Sequence, residues 1–138
     1  MSRVVDGDTI ELVDGQLVRY IGIDTPELRR RVGDRWVDDV QPMGLEAAAL
    51  NRKLIEGKRV RLEYDVQTHD RFGRLLAYVY VDSDVRQGDS QAEVMVNEEL
   101  LRAGFAQLLT IAPNVRYVDR FRALAEEARK KNRGLWKR

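Results

Sequence analysis

Hydrophobic and β-branched residues recur with the spacing of short strands over much of the first half of the chain. The runs TIELV (9–13) and LVRYIGI (17–23) lie on either side of Asp14-Gly15, a dipeptide typical of tight hairpin turns. Residues 59–65 alternate between apolar and polar positions, and residues 74–81 form a nearly continuous run of bulky apolar side chains. This part of the chain is therefore predicted to be mainly β structure, with its last strand buried.

Three further segments are predicted to be helices, at residues 44–58, 96–104 and 118–136. Glycine stands at or near the end of each one. The third segment is amphipathic and carries Arg and Lys in its last turn, where cationic side chains complement the helix dipole. Its inward face is predicted to be formed by Phe121, Leu124, Ala125 and Ala128.

Two polar stretches, residues 24–42 and 82–93, are predicted to be exposed loops. The first is rich in charge, and the second resembles an insertion between the last strand and the second helix. Short strands that are interrupted by one helix and followed by two more indicate an α+β protein. The best match is a five-stranded Greek-key β-barrel with three α-helices, formed by one domain that spans residues 1–138.

Composition narrows the functional classes only slightly. The chain has 138 residues, with 24 Lys and Arg against 23 Asp and Glu, so net charge gives little support for a protein that coats nucleic acid. No apolar run approaches the roughly 20 residues of a membrane helix, and cysteine is absent, which excludes disulfides and thiolate metal sites. The first residues of this sequence lack the apolar segment and cleavage site of a signal peptide, so none is predicted there.

Acidic residues cluster densely within residues 4–28. The cluster consists of Asp6, Asp8, Asp24 and Glu27, and a single arginine, Arg19, lies among them. Each acidic motif alone is typical of a turn or a strand end. An EF-hand calcium loop is excluded, because a loop that begins at the first aspartate would place leucine at its twelfth position.

A site shared between two strands is a better hypothesis. If the hairpin forms, Asp8 and Asp24 lie at the same end of it, where two carboxylates would repel each other unless a cation lay between them. Oxygen ligands of this kind favour calcium or magnesium. Arg19 is five positions before Asp24, so in a regular strand the two would face opposite sides. We therefore predict a bend near Gly22.

A second arginine, Arg74, follows a turn at the start of the buried strand. Carboxylates together with two arginines suit attack on a phosphodiester: a metal ion neutralises one phosphate oxygen, guanidinium groups hold others, and a carboxylate activates water. A nucleophilic triad does not fit, because the one histidine, His69, has no convincing serine or cysteine partner. A glycosidase with paired carboxylates would leave both arginines unexplained.

Five separated blocks, in this order, resemble the staphylococcal nuclease (thermonuclease-like) family: DGDT, RYIGIDTPE, DRFGRLLAYV, VNEELLRAG and the terminal GLW. The resemblance covers nearly the whole chain. It implies a five-stranded OB-type barrel with three helices and a calcium-dependent nuclease that acts on DNA and RNA, preferring single-stranded or unpaired regions, and leaves 3′-phosphate ends. It also implies a monomer with no membrane attachment, and it favours a secreted or periplasmic location.

The resemblance further implies the roles of individual residues. Asp8 and Asp24 match the carboxylates that bind Ca²⁺, Thr25 matches a residue that contributes its backbone carbonyl, and Asp6 matches an acidic neighbour that supports the metal site. Among the catalytic positions, Glu27 matches the general base, while Arg19 and Arg74 match the arginines that bind phosphate and stabilise the developing charge.

The chain departs from the family where nucleotide bases bind. The family's best-known member packs tyrosines against the terminal nucleotide, whereas Thr110 and Ala112 stand in the corresponding segment here. Arg71, Phe72 and Tyr117 are the candidate substrate-binding residues. The alternative function is a non-catalytic OB-type module that binds nucleic acid or protein, although such modules lose the acidic and arginine positions that this chain retains.

Overall fold

The computed structural model of the chain describes residues 3–87 and 90–137. Its elements, in chain order, are β1 (Arg3–Asp6), β2 (Thr9–Glu11), β3 (Leu17–Tyr20), β4 (Gly22–Asp24), β5 (Arg29–Val32), β6 (Arg35–Asp38), α1 (Gly44–Ile55), β7 (Arg61–Glu63), β8 (Leu75–Gln87), β9 (Ser90–Met95), α2 (Val96–Arg102), β10 (Gln107–Leu109), α3 (Val118–Lys130) and a 3₁₀ turn (Gly134–Trp136).

The strands form one mixed sheet and two small ribbons. The sheet has the order β1-β2-β3-β8-β7, with β9 also paired to β8, and its only parallel pair in the described residues is β3 with β8. The ribbons are β4 with β10 and β5 with β6. The predicted α+β fold with three α-helices is confirmed. Among the described residues the strands pair as an open sheet with more, shorter strands than the five-stranded barrel of the prediction.

The hydrophobic core lies between this sheet and the helices. Buried side chains of the sheet, such as Ile10, Val18 and Val79, pack with Leu100 and Leu101 of α2. The predicted inward face of α3 is confirmed: Phe121, Ala125 and Ala128 are buried, and Leu124 packs against the core. The helix ends earlier than predicted, at Lys130, because Asn132 adopts a left-handed conformation with φ 53° that cannot continue a right-handed helix.

The prediction of two long loops was wrong at the level of the backbone. Residues 29–38 form the antiparallel ribbon of β5 and β6, and much of the 82–93 segment extends the pairing of β8 with β9. Each strand of an exposed two-stranded ribbon pairs along one edge and leaves its outer backbone groups to water, so the ribbon requires no buried face and no apolar alternation by which to recognise it in the sequence. In the part of the chain that the structure describes, no helix has the length and hydrophobicity that crossing a membrane requires.

Candidate active site

The turn at Asp6-Gly7-Asp8, which connects β1 to β2, brings the first carboxylates to the site. The backbone N–H of Asp8 donates to Oδ1 of Asp6 (3.0 Å), and the carbonyl of Asp8 accepts from the backbone N–H of Tyr20 (2.9 Å). The side chain of Asp8 is 2% exposed and accepts hydrogen bonds from the Thr9 hydroxyl (3.1 Å) and the Thr25 backbone N–H (3.0 Å). Asp8 is therefore fixed from two neighbouring strands.

The predicted bend near Gly22 is confirmed. The chain leaves β3 at Tyr20 and re-enters a strand at Gly22, where φ is 85°, a value that favours glycine. A Cβ at this position would lie 2.6 Å from the ring of Phe121. Because of the bend, Arg19 reaches the acidic side: its Nη2 lies 3.4 Å from Oδ1 of Asp24, and its Nη1 lies 3.2 Å from Oδ2 of Asp8.

A buried amide supports the bend. The backbone carbonyl of Ile21, between the two strands, accepts a hydrogen bond from Nδ2 of Asn97 in α2 (2.9 Å). Oδ1 of the same side chain accepts from the backbone N–H of Val79 in β8 (3.0 Å). Asn97 is fully buried, so both bonds satisfy backbone groups that water does not reach. The sequence did not predict this role for Asn97, because its bonds reach the bend at Ile21 and strand β8 at Val79, which are both distant in the chain.

Three carboxylates converge at the end of this bend. Asp8, Asp24 and Glu27 each offer an oxygen, and these atoms all lie within 4.8 Å of one another. Burial, together with the charges of the two aspartates, raises the pKa of Glu27 to about 7. Burial and the charge of Asp8 likewise raise the pKa of Asp24. Carboxylates this close are destabilised when all are ionised, so the arrangement favours a bound cation.

The surroundings of the three carboxylates fit a hard divalent cation. Burial and the neighbouring charge of Asp8 raise the pKa of Asp6 to about 8, so this carboxyl is mostly protonated at neutral pH and adds little negative charge unless a cation is bound nearby. Thr25 Oγ1 is buried and has no hydrogen-bond partner among the described residues. The available donors are oxygens, which Ca²⁺ and Mg²⁺ prefer. The residues predicted as metal ligands are thus brought together, with Asp6 beside them.

Arg74 is held at the start of β8 by the turn that precedes it. Its Nε donates to Oδ2 of Asp70 at 2.7 Å, and its backbone N–H donates to Oδ1 of the same residue at 3.0 Å. That oxygen also accepts from the backbone N–H of Phe72 (2.9 Å), and Gly73 supplies the positive φ that closes the turn. Asp70 is a residue that sequence reasoning missed, although its spacing of four residues from Arg74 was a visible signal.

A cavity of about 390 Å³ lies beside the two arginines. It is lined by Arg19, Arg71, Phe72 and Arg74 and also by the aliphatic side chains of Leu109 and Ile111. The ring of Phe72 is 58% exposed and has guanidinium carbons 4.8 Å and 5.7 Å from its centroid, from Arg71 and Arg74 respectively. Cationic groups therefore adjoin an apolar wall, and the structure places two of the three candidate substrate-binding residues in this cavity.

The third candidate, Tyr117, lies outside this cavity, and its role in substrate binding stays a prediction. Its ring packs against Tyr78, with centroids 4.6 Å apart, and stacks on Phe121 at 6.2 Å. Its hydroxyl donates to Oε1 of Glu63 at 2.6 Å, and Tyr117 does not line the cavity. The cavity is lined instead by the aliphatic residues Leu109 and Ile111, and their sequence gave no sign of this position.

Comparison with known proteins identifies this arrangement. Residues 17–138 match the family described as Staphylococcal nuclease homologue. The chain belongs to the staphylococcal nuclease family. The matched range contains both arginines, Asp24 and Glu27, and the acidic turn of Asp6 and Asp8 lies just before it.

Several bacterial nucleases are similar to the chain over nearly its whole length. It is 38% identical to the thermonuclease of Staphylococcus intermedius and 37% identical to that of Staphylococcus hyicus, covering 75% and 72% of those proteins. The alignments include 100% and 97% of this chain. It is also 36% identical to endonuclease YncB of Bacillus subtilis (strain 168), with 99% of the chain aligned. The chain spans only 60% of the length of that endonuclease.

Proposed function

We propose that this chain is a metal-dependent nuclease that hydrolyses phosphodiester bonds of DNA and RNA without marked sequence specificity. The observation that carries the proposal is the meeting of three carboxylates with Arg19, beside a cavity that Arg74 also lines. Family membership and relatives named thermonuclease and endonuclease support the same reaction class. Neither a binding module nor a glycosidase requires two arginines beside a carboxylate cluster.

Calcium is the proposed ion. The side chains of Asp8 and Asp24 and the backbone carbonyl of Thr25 would hold it, and these oxygen donors match the preference of Ca²⁺. A bound divalent ion supplies charge neutralisation at a phosphate oxygen and polarises the phosphorus centre. Asp6 supports the site through its hydrogen bond to the backbone N–H of Asp8 and is not proposed as a ligand.

The protein's own side chains perform the remaining steps. Arg19 and Arg74 present guanidinium groups that bind phosphate oxygens and stabilise the charge that grows on them in the transition state. Glu27, whose carboxylate lies beside the two aspartates that would hold the ion, takes the proton of the attacking water. The bond from phosphorus to the 5′ oxygen breaks, solvent protonates that oxygen, and the other product keeps a 3′-phosphate.

The residues that line the cavity support a proposal for how the substrate is held. Arg71 and Phe72 beside Arg74 offer charge for a phosphate and an exposed ring for a base. A base can reach such a surface only when it is unstacked, so we propose a preference for single-stranded or unpaired regions.

One experiment tests this function directly. The protein is incubated with single-stranded DNA, and separately with RNA, in Ca²⁺, in Mg²⁺ and in chelator, and the product ends are mapped. We expect cleavage in Ca²⁺ that chelator abolishes, with 3′-phosphate ends. Binding without cleavage in any of these conditions would contradict the proposal and would favour a non-catalytic module.

We also propose that the protein acts as a monomer in a secreted or periplasmic compartment, as the family resemblance favours. Light scattering coupled to size exclusion should give the mass of one chain. Fractionation of the source cells should place the protein outside the cytoplasm, and its recovery with the cytoplasmic proteins would contradict this.

A further inference from the structure

A pair of polar side chains is fully buried behind the acidic turn. The Tyr20 hydroxyl donates to Oδ1 of Asn51 at 2.6 Å, and Nδ2 of Asn51 donates to the backbone carbonyl of Asp6 at 2.9 Å. Tyr20 is 1% exposed and Asn51 is 0% exposed. Asn51 lies within α1, where asparagine has low helix propensity and where burial of its amide costs free energy unless both of its ends are bonded.

These bonds complete a ring around the turn. Tyr20 donates from its backbone N–H to the carbonyl of Asp8 (2.9 Å), and the N–H of Asp8 donates to Oδ1 of Asp6 (3.0 Å). Starting from Tyr20, one path therefore reaches Asp8 directly, and the other reaches Asp6 through Asn51. The two ends of the turn are held relative to the same strand residue.

Helix α1 supports the turn at a second point. A Cβ on Gly7 would lie 2.8 Å from Cβ of Ala47 and 2.5 Å from Oγ1 of Thr25, so the turn is packed closely between them. Ala47 and Asn51 are four residues apart, which places them on the same face of the helix. In β1, the pairing with β2 also shifts register between Val4 and Asp6, so the strand is irregular as it enters the turn. The helix thus supplies contacts at a point where the strand pairing is irregular.

We propose that Asn51, oriented by Tyr20, is a positioning residue that sets the metal affinity of the site by holding the Asp6-Gly7-Asp8 turn. This inference rests on the proposed metal-dependent function. The bond to the Asp6 carbonyl fixes one end of the turn, and Asp8, at the other end, must face Asp24 and Glu27 at a constant separation. Residues behind a metal ligand that fix its orientation typically change metal affinity 10- to 100-fold when they are replaced.

The test compares three variants by titration calorimetry with Ca²⁺ alone, at a temperature at which circular dichroism shows that each is folded. Tyr20→Phe/Asn51→Leu replaces both polar partners with apolar groups of similar size, a change that can be nearly neutral for stability. We expect it to weaken Ca²⁺ binding by about tenfold or more. Tyr20→Phe alone keeps the bond to Asp6 and should stay within about threefold of the wild-type Kd.

Asn114→Leu is the matched control for loss of a buried amide. Asn114 is 7% exposed and bonds the backbone of Gln67 with both ends of its side chain (2.8 and 2.9 Å), without touching the acidic turn. It should lower the unfolding temperature and leave the Ca²⁺ Kd unchanged. A folded double variant with wild-type Kd would overturn the proposal, and so would an equal loss of affinity in the Asn114 variant.

A measurement on the wild type keeps the test decisive if the double variant does not fold. In ¹H–¹⁵N spectra, the side-chain amide signals of Asn51 should shift on Ca²⁺ titration, while those of Asn114 should not. Unchanged Asn51 signals at saturating Ca²⁺ would overturn the inference about Asn51 and leave the proposed function standing. A wild-type protein that binds no Ca²⁺ and cleaves no nucleic acid would instead overturn the proposed function.

Discussion

The bend at Gly22 is the feature whose perturbation tests the architecture of the site most directly. Gly22 has φ 85° and lies between the strand that carries Arg19 and the strand that carries Asp24. In Gly22→Ala, the alanine would have to adopt a left-handed backbone conformation. Its Cβ would also lie 2.6–2.7 Å from ring atoms of Phe121. The substitution therefore adds backbone strain and overpacking at the same time.

Gly15→Ala separates these two effects. Gly15 has φ 90°, yet nothing lies within 4 Å of a Cβ built on it, so its substitution carries strain without a clash. Left-handed backbone costs a non-glycine residue about 1–2 kcal/mol. Overpacking of a filled core adds about 1–3 kcal/mol. We expect Gly15→Ala to destabilise by about 1–2 kcal/mol and Gly22→Ala by about 2–5 kcal/mol.

Urea unfolding measures the free energy of unfolding of each variant. The effect on the active site is measured as kcat/KM on single-stranded DNA, at a temperature at which both variants are folded. Relief of the clash in Gly22→Ala should move Arg19 relative to Asp24 and lower kcat/KM by at least about tenfold, since displacements of about 1 Å cost up to about 100-fold. Gly15→Ala should retain wild-type kcat/KM. Equal destabilisation by the two substitutions would refute the account of the bend.

Three further predictions concern charged groups. Arg19→Ala and Arg74→Ala should each lower the single-turnover rate constant by about 100- to 1000-fold, by analogy with donors that stabilise an oxyanion. A rate constant near the wild-type value would contradict the role assigned to that arginine. Asp70→Asn removes the charge that holds Arg74 at 2.7 Å, so it should lower kcat/KM by about 10- to 100-fold with little change in the Ca²⁺ Kd. A loss of Ca²⁺ affinity would show instead that Asp70 acts on the metal site, against the role given to it here. Asp65 has a pKa lowered below its ordinary 3.8: burial opposes ionisation, but hydrogen bonds from the Tyr78 hydroxyl and two backbone N–H groups outweigh it. The ionised Asp65 should therefore stabilise the fold above pH 3.8, and this stabilisation should be lost as the pH falls further. Asp65→Asn should be less stable than the wild type at pH 6, and its Tm should depend less on pH below pH 4. Parallel curves of Tm against pH for the two proteins would refute this.

The segments that the sequence predicted well are those whose pattern is local. The inward face of α3 follows from its helical spacing, and Phe121, Ala125 and Ala128 are indeed buried. The bend near Gly22 followed from a conflict between strand alternation and the pairing of Arg19 with the acidic side. Ribbons β5–β6 and the extended β8–β9 pair were missed because backbone pairing between polar strands leaves no hydrophobic period.

The lining of the cavity was the least predictable part of the site. Tyr117 was chosen for being aromatic, but its ring completes the packing around Tyr78 and Phe121, where it buries apolar area. Leu109 and Ile111 line the cavity in its place, and aliphatic residues in a short strand give no sign of facing a cavity. Residue type alone does not determine which way a side chain points once several elements compete for it.

The sequence by itself determined the chemical inventory, namely the carboxylates, the two arginines and the turn glycines, and it determined the order of the three helices, because all of these depend on residue type and short spacing. Only the tertiary structure decided that Asp8, Asp24 and Glu27 lie within 4.8 Å, that Asp70 holds Arg74, and that Asn51 and Asn97 bond the turn and the bend. Those contacts join residues up to 76 positions apart. They form because burial makes each unpaired polar group costly, a condition that exists only once the core has assembled.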